Sequence, residues 1–329
     1  MPWTHRPSGP LSPPTNAHNL FVRILVTGGA GFIGSHLVDG LKAQNHEVAV
    51  VDDLSAGNRA NLDPAVKLYQ CDIRDDALEA VFQEFKPEVV DHHAAQSNVP
   101  ASVHNPVHDA SVNVLGSLNL LRLAVKYEAR KFIYISSGGA MYGEPDPSDL
   151  PVKETAPVRP LSPYGASKQA FEAWLGVYKR TFGLDYTVLR YANIYGPRQS
   201  IREEGAVVAV FATRMAADQP VTIDGTGQQT RDFVYVGDCV TANIAALERG
   251  SATAFNIGTG RETSIRDIFD ALAEVAGYAQ KPKFGPPRTG DVVRIVLDPT
   301  LANKQLGWQA SMPLHEGLAS TYAYFRNGR

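Results

Sequence analysis

The chain has 329 residues, 44% of them hydrophobic and 20% charged, with a formal net charge of -3. That is enough apolar material for a large core, while the slightly acidic balance leaves no broad basic field for phosphate backbones or anionic membranes. Nucleic-acid and membrane partners are therefore not expected, no apolar run approaches the roughly 18 residues of a spanning helix, and two cysteines, Cys71 and Cys239, are too few for a disulfide framework or a zinc site; the expected setting is reduced and cytoplasmic, with no metal.

Residues 1–20 are proline-rich and lack the charged, apolar and small-residue succession of a secretory signal, so they read as a disordered extension. FVRILVT at 21–27 reads as a strand, and a glycine-opened helix runs from it to residue 44. HEVAVVD (46–52), VKLYQCD (66–72), EVVDHHA (88–94) and KFIYISS (131–137) read as further strands, with helix-like segments such as 75–85 between them. Strand and helix in alternation imply βαβ units, whose right-handed crossovers stack into a parallel sheet with helices on both faces. A doubly wound α/β fold of Rossmann type is expected. A helix follows to residue 182, and DYTVLRYANIYGP at 185–197 reads as a strand closed by a Gly-Pro turn. The alternation then loosens: shorter strands begin at 221, 230, 253 and 292, interleaved with helices near 205–218, 237–249, 264–276 and 312–326. The expected organisation is a dinucleotide-binding domain over 21–192 that carries the catalytic residues, and a smaller α/β substrate lobe over 193–329. Its boundary is soft, because segments of the second half return to the main sheet.

Thr27-Gly28-Gly29-Ala30-Gly31-Phe32-Ile33-Gly34 follows the first strand directly and opens the first helix. Positions without a side chain let the backbone approach a pyrophosphate, and the helix N-terminus adds amide donors and a favourable dipole. A glycine triplet by itself also suits an ordinary tight turn; its place between strand and helix points to a dinucleotide. Asp52 and Asp53 close the second strand about 20 residues later, where an acid accepts from a ribose 2′-OH and repels a 2′-phosphate, favouring NAD over NADP. Asp72-Ile73 closes the third strand, where an adenine edge or plain solvent is equally served.

Tyr164 and Lys168 lie four residues apart, which on a helix puts both side chains on one face. A lysine ammonium beside a phenol favours the phenolate, drawing its pKa from about 10 toward working pH so that tyrosine exchanges a proton with a substrate hydroxyl. Ser136 and Ser137 end the fifth strand at the carboxyl edge where ligands of open α/β sheets bind, and a hydroxyl there suits a substrate oxygen. Serines satisfying turn amides are the plainer alternative.

Seven ordered segments resemble the extended short-chain dehydrogenase/reductase family, in particular its UDP-glucose 4-epimerases, over residues 21–325. They are TGGAGFIGSH, the acid closing the second strand, SSGGAMYG, SPYGASK, LRYANIYGPRQ, DGTGQQTRDFVYVGD and RTGDVVRIVLDPTLANKQLGW. The resemblance implies NAD as cofactor, a UDP-sugar as substrate, and inversion at C4 through a 4-keto intermediate with hydride passed to NAD and back. It also implies a homodimer built on a helix pair, the stretch 106–128 and the Tyr164 helix. By position, Gly28, Gly31 and Gly34, with Phe32 and Ile33 between them, are implied to hold pyrophosphate, and Asp52, with Asp53 beside it, the adenosine ribose. Asp72 and Ile73 would border adenine, Ala94 and Ala95 lie along the cofactor, Asn113 belong to the cofactor pocket and Tyr191 lie near the nicotinamide. Tyr164, Lys168 and Ser137 are the implied catalytic set, with Lys168 also on the nicotinamide ribose. On the substrate side stand Ser97, Asn193, Arg231, Arg288 and Asp291; an arginine pair suits a diphosphate and a carboxylate suits ribose hydroxyls.

Family members carry Ser or Thr five residues before the glycine of the YG pair. Here that position is Gly138, so Ser137, one residue earlier, is expected to take the role. Related dehydratases and UDP-glucuronate decarboxylases carry acidic residues in this segment, where this chain has Gly139-Ala140, so elimination chemistry is disfavoured. The alternatives are an epimerase or reductase acting on another nucleotide sugar, a UDP-uronic acid or a UDP-N-acetylhexosamine, and a non-catalytic NAD-binding regulator. Intact Tyr164 and Lys168 weaken the regulator reading.

Overall fold

The computed structural model describes residues 21–202, 205–287 and 292–328; the proline-rich stretch 1–20, read above as a disordered extension, lies outside them. In chain order come β1 (Arg23–Thr27), α1 (Phe32–Ala43), β2 (Glu47–Asp52), β3 (Lys67–Gln70), α2 (Leu78–Phe85) and β4 (Val89–His92). Next are α3 (Val99–His104), α4 (Pro106–Ala110), a π-helical turn (Ser111–Gly116) and α5 (Ser117–Lys126). β5 (Lys131–Ser137), the short α6 (Gly138–Met141), α7 (Pro163–Phe182) and β6 (Asp185–Tyr191) complete the first half. The second half supplies β7 (Asn193–Tyr195), α8 (Val207–Ala216), β8 (Thr222–Asp224), β9 (Thr230–Arg231), β10 (Phe233–Tyr235) and α9 (Val236–Ala246). It ends with β11 (Thr253–Ile257), β12 (Thr263–Ser264), α10 (Ile265–Ala276), β13 (Lys283–Gly285), α11 (Thr300–Leu306) and α12 (Leu314–Arg326).

Seven strands form one parallel sheet in the order β11-β6-β5-β4-β1-β2-β3. Runs such as Ile24-Leu25-Val26 and Phe132-Ile133 are apolar on both sides because helices cover both faces. Leu37 and Leu41 of α1, Cys239 and Ala242 of α9 and Leu306 of α11 bury one face. Phe82 of α2, Leu120 and Leu121 of α5 and Phe171 and Leu175 of α7 bury the other. Strand order reverses between β1 and β4, and the crevice outside their carboxyl ends is where open sheets of this kind take ligands. Thr27 and His92, register partners there, mark its floor. A third core, with Tyr195, Phe211, Phe233, Phe269 and Leu318, joins α8, α10 and α12 into a smaller lobe.

Three expectations are corrected. The strand predicted over 185–197 is two: Ala192 N still donates to Ile257 O of β11 at 3.0 Å, but Asn193 N turns to Asp232 O at 2.9 Å, so β7 leaves the main sheet and pairs with β10. The β-branched run 292–298 is no strand among its described residues; it makes isolated bridges at Arg294 and Leu297, and the Asp232 carboxylate accepts from Leu297 N at 3.2 Å. The helical stretch 106–128 is broken by the π-helical turn. β11 sits in the main sheet beside β6, so a cut at residue 192 would remove an edge strand from it.

Candidate active site

Gly28 adopts φ +67°, a left-handed conformation open to glycine, and a Cβ there would stand 2.6 Å from Ala94 N. At Gly34 a Cβ would stand 2.3 Å from Gly28 O, so α1 packs directly on the turn. Gly31 caps α1 without a side chain, leaving the first amides of the helix without a side-chain cap. This is a cradle for an anion. Asp52, 6% exposed, accepts from Ala30 N and Leu54 N, both at 2.9 Å, and so joins the second strand to the cradle. Burial pushes its carboxyl up, against the two backbone bonds. Asp53 is exposed and accepts from Ser55 N at 2.8 Å. Side-chain-free approach, open helix amides and an acid at the end of β2 fit the diphosphate and ribose of NAD.

One cavity of about 1290 Å³ runs from this cradle along the carboxyl edge of the sheet to the smaller lobe. Gly28, Gly31, Phe32, Ile33, Gly34, Asp52, Asp53, Asp72, Ile73, Ala94 and Ala95 line one end of the set expected from sequence; Ser137, Tyr164, Lys168, Tyr191, Ser97, Asn193 and Arg231 line the rest. Arg288 and Asp291 lie outside the described residues. Asn113, 1% exposed, does not itself line the cavity but braces the lining residue Gln96, accepting from Gln96 N at 2.9 Å and donating to Gln96 O at 2.9 Å. Val112 of the π-helical turn and His108 of α4 line the cavity.

Ser162 caps α7, its hydroxyl accepting from Gly165 N at 3.1 Å, with Pro163 in the first turn. That fixes Tyr164 at the cavity and buries Lys168 one turn on. Lys168 Nζ donates to Ile135 O at 2.9 Å and lies 5.7 Å from the Tyr164 ring and 4.9 Å from the Tyr134 ring. Burial pushes the Tyr164 phenol up to about 12, opposed by the Ser137 hydroxyl bonded to it and assisted by Asp109. Lys168 is pulled down to about 8 by burial, with Asp109 and Glu172 holding it up. The expectation that Lys168 draws the phenol downward is therefore corrected for the chain alone: desolvation outweighs it.

The two serines separate cleanly. Ser136 is buried and its hydroxyl points to Met141 Sδ at 2.9 Å, whereas Ser137 caps α6, accepting from Ala140 N at 3.3 Å, and meets the Tyr164 phenol. A Cβ at Gly138 would stand 2.6 Å from Leu297 Cδ1, so a side chain there would require the Leu297 side chain to shift. Gly139 has room, with Asn193 Oδ1 the nearest group at 3.8 Å, but neither it nor Ala140 brings an acid or base.

Other wall residues escaped the sequence reading. His93 lies 3.0 Å from the fully buried Asp91, and Gln199, 5% exposed, donates to Ile194 O at 3.1 Å. Gln199 closes the LRYANIYGPRQ segment and His93 lies in EVVDHHA, but the sequence reading singles out neither within them. Asp232, next to Arg231, is structural: it gathers Thr259 N, Gly260 N and Leu297 N. The described residues hold no His, Cys, Asp or Glu group able to bind a metal, and no helix among them is long and apolar enough to cross a membrane.

The model of the NAD dependent epimerase/dehydratase family matches residues 24–258. The UDP-glucose 4-epimerase of Mycolicibacterium smegmatis is 45% identical over 312 residues, covering 93% of this chain and 99% of that protein. Among solved structures, the UDP-glucose 4-epimerase of Thermotoga maritima with UDP-glucose is 48% identical with a TM-score of 0.91, covering 93% of this chain and 99% of that one. The Thermus thermophilus UDP-glucose 4-epimerase in complex with NAD is 44% identical with a TM-score of 0.89, covering 93% of this chain and 100% of that one.

Proposed function

The chain belongs to the NAD dependent epimerase/dehydratase family, and from that premise we propose that it interconverts UDP-glucose and UDP-galactose by inverting C4 through a 4-keto intermediate. The observation that carries this reading is that Ser137, Tyr164 and Lys168 line one cavity with the glycine cradle at one end and Asn193 and Arg231 at the other. When bound, NAD supplies the acceptor and then the donor of the C4 hydride, and a positive charge that favours the phenolate.

The chain's own residues do the rest. Tyr164 takes the C4 hydroxyl proton and returns it, and Ser137 holds the oxygen that loses and regains it. Lys168 presents a charge from beneath. In the chain alone the phenol is protonated at neutral pH, the form needed for the return step. Gly139 and Ala140 offer no group to remove or add a proton elsewhere on the sugar, which supports epimerisation over elimination. Asn193 and Arg231 face the substrate end; the guanidinium suits a diphosphate by charge and fork geometry.

We also propose a homodimer. Val107, Leu115 and Trp174 are 78%, 63% and 41% exposed, on α4, the π-helical turn and α7, elements that pack together. Exposed large apolar side chains on helices that pack together suit an association surface.

The test is incubation of the purified protein with UDP-galactose and no added cofactor, followed by separation of the sugar nucleotides and assay of NAD released on denaturation. UDP-glucose with stoichiometric NAD is expected from the wild type. Tyr164→Phe is expected to keep the NAD and lose roughly 10²- to 10⁴-fold in turnover; full activity in that variant would remove Tyr164 from the mechanism, and bound NAD without turnover in the wild type would redirect the substrate to another nucleotide sugar.

A further inference from the structure

We infer that the buried Asp109 carboxylate is a positioning residue of this site: it clamps the turn that bears Tyr164 and, by its charge, sets the pH window in which Tyr164 and Lys168 work. The inference rests on the reading of Tyr164 and Lys168 as the reacting pair.

Asp109, in α4, is 1% exposed. Its Oδ1 accepts from Gln96 Nε2 at 2.9 Å and from Asn113 Nδ2 at 3.1 Å. Asn113 Nδ2 also lies 3.2 Å from Ser167 Oγ, sharing its two hydrogens among three acceptors, and the Ser167 hydroxyl donates to Tyr164 O at 2.9 Å. A run of hydrogen bonds therefore links Asp109 to the backbone of the phenol-bearing residue. The π-helical turn that follows α4 places Asn113 at the centre of this run, and such turns often mark functional positions.

Charge points the same way. The titratable groups that meet the Lys168–Tyr164 pair are His92 from β4, Tyr134 from β5, Asp109 from α4 and Glu172 from α7. Burial holds His92 well below the ordinary histidine range and Tyr134 well above the ordinary phenol range, so both are neutral at working pH. Glu172 is committed to Arg190, with contacts of 2.6, 3.1 and 3.2 Å. Asp109 has no cation within 4 Å among the described residues, and its Oδ2 has no donor. It is thus a buried carboxylate near the pair with no ion-pair partner within 4 Å among the described residues, and in a buried setting such a charge acts over several ångströms, on Lys168 included. It holds the Lys168 ammonium on and opposes the Tyr164 phenolate. Both act in one direction, toward higher pH.

Asp109→Asn keeps an Oδ1 able to accept both hydrogen bonds and removes the charge. The kcat profile of the NAD-loaded enzyme is expected to move toward acid by roughly one pH unit on both limbs. The near-ultraviolet absorbance of the Tyr164 phenolate, taken as the difference from Tyr164→Phe, is expected to titrate earlier by a similar amount. Profiles and titrations that superimpose on the wild type would overturn the inference and leave Asp109 a hydrogen-bond acceptor only. Asp109→Ser, smaller and still an acceptor, carries the same readouts where Asn does not fold. Because the phenolate titration needs no sugar, it decides this inference even where a wild type inactive on UDP-galactose has overturned the proposed function.

Discussion

His92 illustrates how a single side chain ties the floor of the site together. Its ring lies at the end of β4, Nδ1 2.7 Å from Thr27 Oγ1 and Nε2 2.8 Å from Ser117 Oγ. The Ser117 hydroxyl proton is spent on Asn113 O at 2.8 Å, so Nε2 must carry the ring proton and Nδ1 accepts from Thr27. The imidazole is then neutral, and burial depresses its pKa further. The sign follows from linkage: the unfolded chain takes up a proton that the folded chain refuses. Stability therefore holds above the unfolded value of about 6.5 and falls below it, by at most about 1.4 kcal/mol per pH unit from this residue. Thermal melts between about pH 7 and 5 should show the loss, and His92→Gln, less stable at neutral pH, should show a flatter acid slope. Equal slopes in the two proteins would mean that another group carries the acid sensitivity. EVVDHHA at 88–94 held no hint of this, since a histidine in an apolar strand reads the same whether it packs or reacts. Spacing placed Tyr164, Lys168 and the glycines on one cavity; it pointed the phenol's shift downward, whereas in the chain alone burial, which spacing does not encode, turns it upward.

At the scale of elements, α7 carries the reacting pair. SPYGASK reads as a cap, a proline in the first turn and two reactive side chains at helical spacing, and the helix begins at Pro163 as those signals require. The neighbouring stretch 106–128 has a helical pattern throughout, yet breaks into α4, a π-helical turn and α5. Within the turn Asn113 is buried while Val112 lines the cavity, a distinction that helical periodicity does not encode. The outward face of these helices leaves Trp174 and Val177 exposed on α7, one turn apart. Trp174→Glu places a charge in that face and is expected to convert a dimer into a monomer in light scattering at micromolar concentration. A wild type that is already monomeric, or a variant that stays dimeric, would move the interface elsewhere.

For the whole molecule, the decisive fact is that one cavity is walled by residues as distant as Gly28, Tyr164, Arg231 and Ile265. The doubly wound sheet was legible because alternation of strand and helix admits few topologies. The path of 292–298 was not. Its β-branched residues suggest a strand, but the Asp232 carboxylate and Val152 satisfy its backbone near Leu297, and Leu297 fills the space over Gly138. That packing occupies the space a side chain at position 138 would need, and the hydroxyl on the cavity belongs to Ser137, visible in the sequence only as a glycine where a serine was expected. Epimerisation by this route requires that the hydrogen on C4 leave and return without meeting solvent. UDP-galactose carrying deuterium at C4, incubated with the NAD-loaded protein, measures this directly. UDP-glucose that retains the deuterium at C4 is the predicted product; UDP-glucose with solvent hydrogen at C4, or no UDP-glucose at all, would contradict the proposed route.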